Sequence, residues 1–248
     1  MDKGGSAKSS IPSRPLFKPA PAMLIGLAIA IGLPLILSLG IRLADRIGVV
    51  SGDEFASMRL AVAILEIVSL LALVTIGERR LPGSVGIWPP NLDDLRYGLG
   101  AAALCATLAI VVPIAFNSSS SAEGSFAFRW AALFPENVLA FYRGTFWLVL
   151  PTLIAVAIAH ELALRGFIAS RLRTLTGNVM LAGTAAFILS LVAEVPLWGL
   201  TYTLEVAPIE AILISLFLWK RRLLPCIVGN FAVGLLLFFL TMASRESA

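Results

Sequence analysis

The sequence predicts an all-α, polytopic transmembrane helix bundle, and three observations carry that prediction. The first is composition. Of 248 residues, 58% are hydrophobic and 14% charged, with a mean hydropathy of +0.92. Soluble domains carry about 25% charged residues. The deficit is what a lipid-facing surface requires, because a charge in hydrocarbon costs several kcal/mol. The second is the recurrence of apolar stretches of about 20 residues, the length of one bilayer crossing. The third is that the basic residues stand at the ends of those stretches. That placement assigns the net charge of +4 and the pI near 9.4 to membrane topology and excludes a nucleic-acid partner.

Taken in order, residues 1–20 are rich in Ser, Pro, Lys and Gly and read as a disordered basic tail. Residues 21–244 read as one transmembrane domain. Its first apolar stretch has no small-residue cleavage site, so a retained helix is expected rather than a signal peptide. Seven spans are expected, at 22–41, 58–77, 97–116, 145–171, 179–199, 203–219 and 223–243. The fourth is long enough to tilt or to extend past the membrane surface. The sixth is the shortest. Pro34 and Pro151 are expected to kink their helices. The stretch NSSSSAEGS at 117–125 reads as a flexible outer loop, and 126–142 as an amphipathic segment in the outer interface.

Placing the N-terminus inside gives a basic bias of roughly two to one toward inner segments, hence N-in and C-out. Trp88, Trp130, Trp147, Trp198 and Trp219 fall near span ends, as interfacial anchors. Cys105 and Cys226 lie inside apolar runs and read as reduced core cysteines. These features together predict a multi-pass protein of a cell membrane, and a bacterial cytoplasmic membrane is the expected one.

Ionisable residues within spans point to function, because they face a bundle interior or a watery cavity. They are Glu66, His160, Glu161, Arg165, Glu194 and Glu210, and His160 is the one histidine of the chain. Glu161 and Arg165 are four apart, so they share a helix face and can pair. The plain reading of this stretch is a structural ion pair beside a histidine. A zinc motif of the HExxH type fails, because position 164 is leucine. Counting from the inner ends of their spans, His160 lies roughly 16 Å deep, Glu194 roughly 22 Å and Asn230 roughly 10 Å. These depths allow one shared cavity.

The stretches SVGIWPPNLDDLRYGLGAA, HELALRGFIASRLR, TAAFILSLVAEVPLWG and LLPCIVGNFAVG, spread over residues 80–240, together resemble the CPBP family of intramembrane proteases, which groups CAAX-processing endopeptidases with bacteriocin-immunity-type proteins. The stretch HELALRGFIASRLR is similar to the family's EExxxRG helix. TAAFILSLVAEVPLWG is similar to its second motif helix, which ends in FxxxH. LLPCIVGNFAVG is similar to its last, which carries HxxxN or HxxxD. The preceding SVGIWPPNLDDLRYGLGAA is similar to the loop and helix start upstream. The resemblance implies glutamate-based hydrolysis, with a Glu and a His activating water and polar groups of the last helix stabilising the oxyanion.

Each motif departs from the pattern. His160 stands where the family has its first Glu, while Glu161 and Arg165 match the second Glu and the Arg. Ser190 and Glu194 take the FxxxH positions. Asn230 replaces the histidine of the last motif, and Gly234 takes the Asn or Asp position. Two expectations follow. In one, His160 and Glu194 are a swapped dyad, with Asn230 as an oxyanion donor and Glu161 and Arg165 completing the catalytic set. The chain would then hydrolyse a peptide bond of a membrane-associated protein or peptide, without metal or other cofactor. In the other, the site is inactive and the protein is a membrane scaffold or an immunity-type binding protein. A transporter using Glu66 and Glu210 is a third reading, though no internal repeat supports it.

Overall fold

The computed structural model describes residues 19–36, 39–40, 51–117 and 144–246, and every regular element among them is a helix. The tail up to residue 18 and the loop and interfacial segment expected at 118–142 lie outside the described residues. Pro19 and Ala20, expected in the tail, already belong to the first helix.

Helix α1 begins as Pro19–Leu27 and passes through a π-helical turn, Ala28–Gly32, before running on to Ile36. Pro34 has no N–H to offer Ala30, and the wider turn falls where that ladder bond is missing. Helix α2, Gly52–Ala72, also ends in a π turn, Leu73–Gly77. It starts six residues before its expected span because Ser51 caps it. The Ser51 hydroxyl accepts from the Glu54 N–H at 3.3 Å, and the Glu54 carboxylate accepts from the Ser51 N–H at 2.7 Å. Helix α3, Leu92–Asn117, starts early for a similar reason. Asn91 and Asp94 exchange side-chain to backbone bonds at 2.8 and 3.0 Å.

Helix α4 is Phe146–Thr176, unbroken through Pro151 and with a central π segment, Leu162–Ala169. It runs five residues past the expected end and stops at Gly177, whose φ of +66° favours glycine. Asn178 caps α5, Val179–Trp198. Helix α6, Leu200–Lys220, and helix α7, Leu224–Glu246, complete the chain. Four helices are long and apolar enough to cross a membrane among the described residues: Gly52–Gly77, Leu92–Val111, Phe146–Thr176 and Leu224–Ala243. Ala20–Ile36 and Val179–Val195 are shorter apolar helices.

In the bundle α7 packs on α3, α2 on α4, and α5 on α6, with α4 also touching α5 and α7. Leu70, Phe167, Ile168, Leu213 and Phe217 form part of the buried core. Leu65, Val68, Ile188 and Val192 lie exposed on the outside. An apolar exterior around a core that holds charged groups is the arrangement lipid favours and water does not.

Two ion pairs fasten one end of the bundle. The buried Arg171 donates from Nε to Oε1 of Glu78 at 2.8 Å and from its other arm to Oε2. Arg222 grips Asp94 in the same bidentate way and also donates to the Pro89 carbonyl. Between them the 80–91 segment lies against α4 where Gly166 leaves room. A Cβ there would stand 2.8 Å from the Val85 carbonyl oxygen. At the other end, Thr145 donates from its N–H and hydroxyl to Asp53 at 2.6 and 2.9 Å, joining the starts of α2 and α4. Arg165 and Arg171 enter the sequence's basic bias as surface charges. The structure makes both core residues with carboxylate partners.

Candidate functional site

A cavity of about 170 Å³ opens inside the bundle, walled by α1, α2, α4, α5, α6 and α7. Most of its wall is aliphatic. Its polar wall comprises Arg59, Glu66, His160, Glu194, Glu210 and Asn230, drawn from five helices. No sequence-local motif could supply that set.

His160 and Glu161 close the regular α-helical part of α4, and the π segment begins at the next residue. A π turn widens the helix and redirects the side chains that follow it. Here it carries Arg165, at 1% exposure, between two acids on different helices. Arg165 donates to Glu161 Oε1 at 3.1 Å and to Glu210 Oε2. Ser190 of α5 donates to the same oxygen of Glu210. Glu161 and Arg165 therefore stand behind the cavity wall, and the pairing expected from their spacing is present.

His160 reaches the cavity, its side chain 25% exposed. Its Nε2 lies 3.1 Å from Glu194 Oε1. Its Nδ1 lies 3.0 Å from Asn230 Nδ2 and 3.3 Å from an Arg165 nitrogen. The orientation of the Asn230 amide is set by Glu161, whose carboxylate accepts from the same Nδ2 at 2.7 Å. Both groups within hydrogen-bond distance of Nδ1 are donors, so in the neutral ring Nδ1 accepts and Nε2 carries the proton toward Glu194. The geometry thus orders five groups in a chain, from Arg165 and Glu161 through Asn230 and His160 to Glu194.

The structure brings together all five residues singled out from the sequence: His160, Glu161, Arg165, Glu194 and Asn230. Gly234, at the last motif position, also lines the cavity and packs close to Leu153. Ser190 points instead to Glu210. Asn230 differs from its expected part in one respect. Both N–H bonds of its amide are committed, one to Glu161 and one to His160. It positions those groups, and serving an oxyanion would cost it one of the two bonds.

Glu210 is absent from the catalytic set expected from the sequence, where it has a part only in the transporter reading. It belongs to this site, bonded to Arg165 and Ser190. The signal was available. Glu210 lies ten residues before Lys220, hence roughly 15 Å from that end of its helix, the depth reached by His160. His160, Glu194 and Glu210 each offer one ligand atom, and these atoms lie within 4.8 Å of one another. Two buried carboxylate oxygens, Glu161 Oε2 and Glu194 Oε2, receive no hydrogen bond among the described residues.

Comparison with protein-family models, with curated proteins and with solved structures returned no match.

Proposed function

We propose that this chain is an intramembrane endopeptidase of the CPBP type, cutting a peptide bond of a membrane-associated protein or peptide. In this reading the bundle crosses a cell membrane seven times, N-in and C-out, and His160 and Glu194 act as the swapped dyad. The observation that carries the reading is the 3.1 Å contact between His160 Nε2 and Glu194 Oε1 at the wall of a cavity inside an apolar bundle. Two ionisable groups held that way in a bilayer are costly, and a structural role does not require them to face open space.

The chemistry follows from the bonding. Glu194, held by the Nε2–H of His160, takes a proton from a water in the cavity. The water oxygen bonds to the scissile carbonyl carbon. The C–N bond breaks, and the proton passes to the departing amine nitrogen. Asn230, Glu161 and Arg165 act through His160 as positioning residues. The low dielectric around them strengthens each of these interactions.

One observation favours the second reading, an inactive scaffold or immunity-type binding protein. Arg165, Glu161, Asn230, Ser190 and Glu210 form a bonded interhelical network, as polar residues that hold membrane helices together do. A cleavage assay separates the two. Purified protein in lipid nanodiscs is offered a panel of transmembrane and prenylated peptides. The peptidase reading expects cleavage by wild type and a loss of about 10²–10⁴-fold in Glu194→Ala. Glu161→Ala is expected to lose activity as well, through misplacement of His160. Wild-type protein inert across the panel would leave the scaffold reading.

A further inference from the structure

We infer that the cavity wall holds a site for one zinc-class divalent cation, liganded by Nε2 of His160, one oxygen of Glu194 and one oxygen of Glu210. The sequence contains no zinc motif, and a local motif is not how this site is built. Its ligands come from α4, α5 and α6, which the fold brings together. The inference does not depend on the peptidase reading, and in the metal-bound state the ion replaces the Nε2–H contact between His160 and Glu194.

Geometry comes first. Zinc binds nitrogen and oxygen ligands at about 2.0–2.2 Å, so ligand atoms around a tetrahedral ion lie roughly 3.4 Å apart. The three candidate atoms already lie within 4.8 Å of one another, and the His160–Glu194 pair stands at 3.1 Å. A contraction within side-chain reach completes the site. Glu210 is prepared for it, because Arg165 and Ser190 both donate to its Oε2 and hold the carboxylate in place. Such outer partners fix a ligating carboxylate in orientation. The cavity supplies the open fourth position for water.

Two further observations point to a cation. Glu194 is 8% exposed and lines the cavity, yet its buried Oε2 receives no donor among the described residues. A buried carboxylate oxygen without a partner is expensive, and an ion meets that need. Charge balance is the second. Glu66, Glu161, Glu194 and Glu210 face Arg59 and Arg165 in and behind the wall, four carboxylates against two guanidinium groups, while a ligating His160 is neutral. Among the described residues the carboxylates outnumber the guanidinium groups, and a divalent cation offsets that excess. The imidazole ligand favours zinc and its neighbours over magnesium or calcium, which prefer oxygen alone.

The site requires one rearrangement. A metal on Nε2 moves the ring proton to Nδ1, whose carboxylate acceptor is Glu161 Oε1, now 3.8 Å away. Asn230 and Arg165 then both give up their contacts with Nδ1, and each keeps its bond to Glu161. The result is a carboxylate–histidine–metal arrangement.

The test is a titration of chelator-stripped protein in nanodiscs with Zn²⁺ and with Co²⁺. Wild type should take up one equivalent saturably, unfold at a higher temperature with Zn²⁺ present, and give a ligand-field band with Co²⁺ that lacks thiolate charge transfer. Glu194→Gln and Glu210→Gln should each weaken binding more than about 100-fold, beyond what loss of an outer-shell partner costs. Asp93→Asn, an exposed acid of α3 outside the cavity, should keep one-to-one binding. Failure of wild type to bind saturably overturns the site. So does a thiolate band, which would move the ion to Cys105 or Cys226, or binding that both ligand variants retain. The wild-type measurements stand even where a variant does not fold. Because no substrate is present, a protein that binds zinc but cleaves nothing would support this site while removing the peptidase reading. Cleavage without saturable binding would do the reverse.

Discussion

Arg165 shows at residue scale how this bundle tolerates charge. Its guanidinium is buried in an apolar protein, and the planar fork reaches Glu161 on its own helix and Glu210 on α6 at once. Removing it would leave two buried acids without their countercharge. Arg165→Ala is therefore expected to destabilise the fold by about 3–5 kcal/mol, read as a lowered unfolding temperature in detergent. Arg165→Lys should recover only part of that loss, since an ammonium cannot span both acids in the same plane. Unchanged unfolding of the alanine variant would mean that the pair carries no structural weight. The spacing of Glu161 and Arg165 made their contact legible in the sequence. Depth brought Glu210 to the level of the site, but its contact with Arg165 was not legible, because helical periodicity relates residues within one helix and says nothing of which helices are neighbours.

At the scale of elements, the apolar runs located the helices but not their ends. Ser51 and Asn91 start α2 and α3 well outside the runs, since a cap is a polar residue by necessity. Hydropathy marks the stretch that suits lipid, while capping marks the stretch that is helical. The π segment of α4 was also illegible, because it answers to tertiary contacts around Arg165 and Gly166 rather than to any local pattern. Gly166 gives the sharper test. A side chain there meets the Val85 backbone, which cannot withdraw as a flexible side chain would. Gly166→Val is expected to cost about 1–3 kcal/mol by overpacking and to free the 80–91 segment, measurable as faster proteolysis there. Gly100, where a Cβ meets nothing within 4 Å, should accept alanine with no such effect.

At the scale of the molecule, composition and the recurring apolar stretches predicted a helical membrane protein, and the structure holds four helices of spanning length and apolarity among the described residues. The proposed orientation is tested by reporter fusions: outside for a fusion near Ser119, inside for one near Arg80. The reverse at either point would invert or break the seven-span topology. The meeting of His160, Glu194 and Asn230 was anticipated from depth, since positions at similar heights in a bundle can share a cavity. What depth could not supply was the bonding order, which places Asn230 behind the imidazole and Glu194 in front of it. The most direct measurement is peptide cleavage by wild type, by His160→Glu, by Glu194→His and by the double variant carrying both changes. If the dyad performs the hydrolysis, each single variant loses cleavage and the double variant regains part of it, because the pair is restored in opposite order. Full cleavage by both single variants would contradict the account.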